Sequence, residues 1–373
     1  MTKNGYIKNI KIKGFKSIKD IDLKLEPLNI IIGSNGVGKT NFIHAFKFLN
    51  QIVNKNLQDY VIVSGGADNF LYFGSKNTNS IVIEIDYNVN AYKIELISAN
   101  NDNLLIKSEK GIFRASEIDY NGGDKVTTIT GSLSKESNLP KSGTSSIKRH
   151  IAKYLESYRI YHFHDTSRTA KVKKISNIDD NLILQTDAAN LASMLYRFKN
   201  NDKYEYNYNK IVETIQLVAP YFKDFVLVPD ENGNILPRWQ HKDYEKIFTF
   251  NDLSDGTLRF ICLATLLLQP LEYIPDTILI DEPELGLHPH AISVLAGMMR
   301  SLSKKGKQII ASSQSVTLIN EFSAQDILVA DIKNNSTLIR RLEDKEVVNW
   351  LEEYQLGEIW EKNIIGGTPG DFF

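Results

Sequence analysis

Cysteine is almost missing from this chain: Cys262 is the single one in 373 residues. One thiol excludes an internal disulfide framework and any Cys-rich zinc site, and it suits a reducing cytoplasm. Cys262 itself sits in an apolar run and reads as a core residue. Long apolar runs are missing too. The longest, FICLATLLL at 260 to 268, stops at Gln269 and Pro270, far short of the roughly 20 residues that a membrane span needs. Residues 1 to 20 scatter lysines among isolated apolar residues, without the continuous apolar region of a secretory signal. A soluble, cytoplasmic chain with no membrane partner is expected. Heptads sustained enough for a coiled coil are absent, and so is any internal repeat.

Net charge is absent as well. The 44 lysines and arginines stand against 45 acids, leaving −1 and no molecule-wide field for a polyanion. The charge is uneven, however: residues 141 to 174 hold nine basic residues against two acids, and 341 to 362 hold three against seven. What is present in quantity is apolar residue, 42% of the chain, enough to bury a substantial core in two domains or one elaborated domain.

The opening YIKNIKIKGFKSIKDIDLKLEPLNIIIG alternates apolar and polar residues, then turns continuously apolar at Ile30 to Ile32. That predicts antiparallel strands followed by a buried central strand. NFIHAFKFLNQIV then places Phe42, Ile43, Phe46, Leu49 and Val53 on one helical face. Residues 81 to 98 read as a hairpin around Asn88 to Asn90, with strand-like text continuing to about 130. The Ser-, Gly- and Pro-rich stretch 131 to 146 reads as a mobile loop. Helical patterns return at 146 to 157, 187 to 200 and 209 to 219, with a Tyr-rich YEYNYN spacer between the last two. After 251, apolar helices alternate with the buried strands of DTILIDEPELGLHPH and KQIIASSQS, the pattern of a mostly parallel α/β sheet split by the middle of the chain.

Gly33, Gly38, Lys39 and Thr40 satisfy the spacing G-x-x-x-x-G-K-S/T, with a strand predicted before and a helix after. Glycines let backbone N–H groups close around phosphates, and the helix N-terminus adds a positive dipole end. Lys39 can reach β- and γ-phosphate oxygens, and the Thr40 hydroxyl is a hard ligand suited to Mg²⁺. Asn35, Gly36 and Asn41 belong to the same candidate phosphate-binding loop. Further on, TILIDEP ends a strand with Asp281 and Glu282 adjacent, so that the pleat sends their side chains to opposite sides. One can serve the hydrated metal and the other the attacking water. LSDGTLR, 253 to 259, sets Ser254 and Gly256 at a helix start, where Ser254 or Asp255 caps the helix or a second anion binds.

Together these segments resemble the RecF-like and SMC-like branch of ABC-type ATPases, often described simply as AAA family ATPases. GSNGVGKTN is similar to a Walker A loop, LSDG to the signature, ILIDEPELGLHP to Walker B running into the D-loop, and IIASSQS to the switch. IKIKGFKSIKDIDLKL at the start and LGEIWEKNIIGG near the end are also of this type, whereas the middle matches only in pieces such as YHFHDTS at 161 to 167. The resemblance implies an ABC-type P-loop head: α/β, with a mixed β-sheet flanked by helices, an antiparallel β subdomain and an inserted, mainly helical lobe. The head would be formed by 1–90 and 245–373, with 91–244 as the insert.

Residue by residue, the resemblance implies Lys39 and Thr40 on phosphate and Mg²⁺, Asp281 as the metal-side acid and Glu282 as the catalytic base. It assigns Ser254 and Gly256 to the γ-phosphate of nucleotide held by a second copy, and Leu287, His288 and Pro289 to the dimer seam. Lys16 matches a basic position that touches nucleotide in relatives. At the switch, where ABC heads commonly have His, this chain has Gln314, which hydrogen-bonds but carries no charge; turnover that is slow or partner-dependent is expected. Gln51 and Gln58 are the candidates for the glutamine that joins metal to the helical lobe.

Extended arms of the SMC type are absent, and the 59 residues after Gln314 fall short of a Toprim nuclease domain. The expected function is an ATP-hydrolysing, dimerising switch, the sensor or scaffold subunit of a bacterial antiphage module acting with a separate effector chain. The alternatives are a RecF-like DNA-binding repair ATPase and a nucleotide-gated scaffold with little hydrolysis. DNA or RNA is the ligand expected along Lys148, Arg149, Lys153, Arg159, Arg168, Lys171, Lys173 and Lys174, with Tyr154, Tyr158 and Tyr161 interleaved. A solvated face, or pairing with the acidic stretch at 341 to 362, is the alternative reading of that run.

Overall fold

Alternation in the first 25 residues becomes a hairpin. Strand β1 (Asn9–Phe15) pairs antiparallel with β2 (Ile18–Lys24), and Ile10, Ile12, Phe15, Ile18, Ile21 and Leu23 are all buried. The computed structural model describes residues 5–99, 102–114, 124–139 and 146–368. The next elements are β3 (Leu28–Ile32), α1 (Lys39–Val53), α2 (Leu57–Val63), β4 (Ser80–Asp86), β5 (Asn90–Ala99), β6 (Asn103–Phe113), β7 (Lys125–Thr130), α3 (Ser146–Glu156) and β8 (Tyr158–Tyr161). There follow β9 (Ser176–Asn177), α4 (Leu191–Lys199), α5 (Glu205–Val218), β10 (Phe222–Val226), β11 (Asn234–Ile235), β12 (Arg238–His241) and β13 (Ile247–Thr249). The chain ends with α6 (Asp255–Leu268), β14 (Thr277–Asp281), α7 (Pro289–Lys304), β15 (Gln308–Ser313), α8 (Val316–Ile319), β16 (Ile327–Lys333), β17 (Ser336–Arg341), α9 (Asp344–Val347) and α10 (Leu356–Glu361).

These elements form two compact units, Met1–Ile160 with Ser323–Phe373, and Tyr161–Phe322. In the first unit, an antiparallel sheet runs in the order β2-β1-β4-β5-β6-β7. The hairpin expected at 88 to 90 joins β4 to β5, closed by Tyr87 N–H on the Asn90 carbonyl (2.7 Å), with Asn88 in the left-handed region (φ +80°) that asparagine tolerates. Strand β3 is buried at all five positions, as its unbroken apolar text requires; it lies parallel to β16, which pairs antiparallel with β17, so this sheet is mixed. Helix α1 buries the five apolar residues expected of it and also Ala45, Phe48 and Ile52, a wider stripe than an isolated amphipathic helix needs.

The stretch 131 to 146 departs from the expectation of a mobile loop. Residues 140 to 145 lie outside the described residues, but 131 to 139 are moored. Glu109, fully buried on β6, accepts hydrogen bonds from the hydroxyls of Tyr92 (2.8 Å), Thr130 (2.7 Å) and Ser137 (2.6 Å) and from Asn138 N–H (3.2 Å). Four donors satisfy a carboxylate that burial alone would penalise by several kcal/mol, on the order of 3 to 5 if it lost its partners. The strand-like text predicted to reach 130 falls partly on residues 115 to 123, outside the described set, and resumes as β7.

In the second unit, β14 and β15 run parallel in register from Thr277↔Gln308 to Asp281↔Ser312. Helix α6 is buried continuously from Phe260 to Leu268, so its apolar run is core. Two small antiparallel sheets, β10-β12-β13 and β9-β11, complete the unit. YEYNYN is not a spacer: it forms the first turns of α5, burying Tyr204 and Tyr208 and exposing Tyr206, because positions four apart share a helical face. Among the described residues, no helix is long and apolar enough to cross a membrane.

Candidate functional site

In the first unit, β3 ends at Ile32 and α1 begins at Lys39, so the glycine loop 33 to 38 lies between a buried strand and a helix N-terminus. Its conformation needs glycine at three places. Gly33, Gly36 and Gly38 have φ of +156°, +82° and +100°, and a Cβ on Gly33 would come within 2.5 Å of the Ala330 carbonyl. The Lys39 ammonium is buried and donates to the carbonyls of Gly33 (2.6 Å) and Ser34 (2.8 Å). Asn35, Gly36 and Thr40 are exposed. Helix α1 has no side-chain cap at Gly38 and no acid in its first turn, which leaves its positive end open to an anion.

A chain of hydroxyls locks this loop to β17. Asn41 Nδ2 donates to Ser17 Oγ (2.8 Å), Ser17 donates to Thr337 Oγ1 (2.7 Å), and Thr337 donates to the Val37 carbonyl (2.8 Å). Ser34 N–H reaches the Gly367 carbonyl (2.7 Å). Lys16 stands beside this chain in the left-handed region (φ +50°), its Nζ 3.4 Å from His44 Nδ1 and over the Phe70 ring. Burial, and then the nearby Lys47 charge, push its pKa below the usual lysine range. Lys16, Ser17, Asn41, Asp68, Asn69 and Phe73 help to line a pocket of about 650 Å³. The glutamines considered for the metal-to-lobe role are occupied elsewhere: Gln51 accepts from Asn56 (2.6 Å), and Gln58 donates to the carbonyls of Leu104 (2.8 Å) and Lys135 (2.7 Å).

In the second unit, the acid pair sits where β14 and β15 end together. The pleat does not separate Asp281 from Glu282, as the sequence suggested. The strand stops at Asp281, and Glu282 turns into the left-handed region (φ +43°), so strand alternation no longer governs it. Asp281 accepts from the Ser312 hydroxyl, and Glu282 accepts from the Gln314 side-chain amide. Glu284, buried, accepts from Ser313 Oγ (2.6 Å) and from Gln314 N–H (3.1 Å). His164 Nε2 donates to the Asp281 carbonyl (2.8 Å), giving YHFHDTS a place beside the acids.

Ser254 is the N-cap of α6, accepting from Thr257 N–H (3.2 Å). Gly256 is pressed against the turn before α7, since a Cβ there would come within 2.4 Å of the Gly286 carbonyl. Arg259, one turn on, donates to the carbonyls of Leu285 (2.9 Å) and His164 (2.9 Å). His288 caps α7 and Pro289 is its first residue, with both exposed and Leu287 half-buried. Sequence reasoning missed Ser17, Thr337, Ser312, Glu284 and Arg259. Thr337 carries no local signal, whereas Ser17, Ser312, Glu284 and Arg259 lie inside segments already quoted.

The basic stretch is less available than its composition suggested. Tyr158 and Tyr161 are buried, and Tyr154 stacks on Tyr87 (4.9 Å), so these rings are packing groups and not a platform for bases. Lys173 is buried with its ammonium on the Thr166 carbonyl (2.7 Å), and Lys171 pairs with Asp187 (2.9 Å). Arg149, Lys153, Arg168 and Lys174 are exposed. In the acidic stretch, Glu346 pairs with Arg340 and Glu343 with Lys345.

The chain is similar to known proteins. Over 87 residues it is 33% identical to the DNA replication and repair protein RecF of Renibacterium salmoninarum, covering 22% of each chain. Over 95 residues it is 28% identical to the OLD nuclease of Thermus scotoductus, covering 24% of this chain and 17% of that protein. It therefore spans less than a quarter of these relatives' length. The fold is that of an SMC head: the structure of the SmcHead bound to the C-winged helix domain of ScpA superposes with a TM-score of 0.55 at 14% identity, over 92% of this chain and 99% of that one. The family described as "AAA domain, putative AbiEii toxin, Type IV TA system" matches residues 28–320, well over half of the chain. The chain belongs to that AAA-domain family, and its fold is of the SMC-head, ABC-type P-loop kind expected from the sequence.

Proposed function

We propose that this chain is an ATP-hydrolysing switch that pairs with a second copy of itself. In this reading, Lys39 and Thr40 hold the phosphates, Glu282 is the base for the attacking water, and Gln314 orients Glu282. The Ser254 loop of the second copy closes over the nucleotide. The observation that carries the reading is the loop at 33 to 40: a buried ammonium that donates to the Gly33 and Ser34 carbonyls, beside an uncapped helix end with no acid in its first turn. Such a place is stabilised by an anion of high charge. The neighbouring pocket adds Lys16 and the amide of Asn41.

Mg²⁺ suits the residues proposed to hold it, Thr40 and Asp281. Both are hard oxygen donors, and Mg²⁺ takes one or two protein ligands and completes its shell with water and phosphate. When bound, it would neutralise phosphate charge. The Gln314 amide donates to Glu282 and cannot surrender a proton at neutral pH, so its part in this reading is to fix the orientation of the carboxylate.

For the biological role, we favour the sensor or scaffold ATPase of a bacterial antiphage module with a separate effector. The family description, which names an AbiEii toxin and a toxin–antitoxin system, supports this, as does the OLD nuclease relative. A DNA-binding repair role is supported by the RecF relative, and it rests on Arg149, Lys153, Arg168 and Lys174 rather than on the buried tyrosines. The test of the central reading is Lys39→Ala, with ATP binding followed by calorimetry. The variant is expected to bind ATP roughly 100-fold more weakly, the scale of a lost charge-assisted contact in a buried site. Unchanged affinity would remove the phosphate role of the loop.

A further inference from the structure

Two glutamates flank Pro283, and both reach the same residue. Glu282 accepts from the Gln314 side chain, while Glu284 Oε1 accepts from the Gln314 backbone N–H (3.1 Å) and the Ser313 hydroxyl (2.6 Å). Glu284 is 8% exposed, and its Oε2 is buried with no hydrogen-bond partner among the described residues. Burial raises its pKa against the opposing pull of its hydrogen bonds. A carboxyl in such surroundings destabilises the fold relative to an apolar side chain of the same size, so stability does not account for it.

The backbone shows what the carboxyl supplies. The parallel ladder between β14 and β15 ends at Asp281↔Ser312. One more bond follows, from Glu282 N–H to the Ser312 carbonyl (3.1 Å). Beyond it, Glu282 is left-handed and Pro283 has no N–H, so main-chain pairing cannot continue to 313 and 314. Glu284 takes over as acceptor for that segment. We propose that Glu284 is a positioning residue: it grips Gln314 by its backbone and so presents the Gln314 amide to Glu282. This rests on the assignment of Glu282 as the base.

Glu284→Ala is expected to lower kcat for ATP about tenfold or more while KM for ATP stays within about twofold, because the residues that hold the phosphates are not altered. Glu284→Gln keeps an acceptor oxygen and the shape, and it should restore kcat to near the wild-type value. Independently of turnover, hydrogen–deuterium exchange of the peptide covering 312 to 316 should be faster in Glu284→Ala and unchanged in Glu284→Gln. Wild-type kcat in Glu284→Ala, or unaltered exchange at Gln314, overturns the proposal. If Glu284→Ala does not fold, Ser313→Ala carries the test, since it removes one of the two donors. It should speed exchange at Gln314 and lower kcat about threefold, and no change in either is fatal. If the wild-type chain hydrolyses no ATP, the ATPase reading fails by itself, and the exchange comparison still decides whether Glu284 grips Gln314.

Discussion

A Cβ on Gly38 would come within 2.1 Å of the Thr337 hydroxyl and 2.7 Å of the Ser17 hydroxyl. The glycine is therefore set by a long-range hydroxyl chain as well as by its own left-handed turn, which a spacing pattern cannot reveal. Cys262 shows the opposite relation between sequence and structure. Its apolar neighbours marked it as core, and it is 2% exposed on α6, where burial pushes the thiol up to about 12. At neutral pH it stays a thiol and meets no reagent. Alkylation by iodoacetamide is expected to be negligible in the folded chain and to appear only with denaturant, in parallel with the loss of α6 helicity measured by circular dichroism. Labelling in buffer alone would contradict this burial.

At the scale of elements, the loop 131 to 139 reaches α2. Glu136 accepts from the N–H groups of Leu57 and Gln58 (3.0 Å each), capping a seven-residue helix from far along the chain. Glu136→Ala is expected to destabilise the chain by about 1 kcal/mol, the worth of a cap. A shift in the denaturation midpoint without a change of slope checks it. Wherever the partners are local, the elements were legible: the apolar run of β3, the helical face of α1 and the Ser254 cap all come from neighbours in sequence. The mooring of 131 to 139 was not, because its acceptor, Glu109, lies on another strand and leaves no trace in a polar stretch. Tyr204 and Tyr208 were missed because the glutamate and asparagine between them imitate a spacer, although their four-residue spacing suits a helix. The acid pair was found from its strand, but the turn at Glu282 depends on Pro283, Glu284 and the facing serines, and the pleat rule stops one residue too early.

At the scale of the whole molecule, the proposed switch gives each copy a phosphate loop, an acid pair and a signature loop that serves another copy. Glu282→Gln keeps the shape and hydrogen-bonding reach but removes the base, so ATP should accumulate unhydrolysed with the closed pair. Light scattering after gel filtration is expected to show the variant with ATP at twice the monomer mass, and the wild type with ADP at the monomer mass. A variant that hydrolyses ATP at the wild-type rate, or that remains monomeric with ATP, removes Glu282 or the pairing respectively.

Ser254 joins these scales. Its oxygen lone pair is taken by Thr257 N–H, while its proton goes to the Thr257 hydroxyl (2.9 Å). The two sides of one hydroxyl are thus divided: the lone pair belongs to the helix, and in the proposed pairing the proton would swing away to a phosphate without uncapping α6. Aspartate would cap this helix as well but has no proton to give and would repel the phosphate, and asparagine gives a proton only from a separate nitrogen. In the proposed pairing, a hydroxyl residue here would let the same atom keep its own helix folded and greet a visitor, so docking and undocking would need no local unfolding.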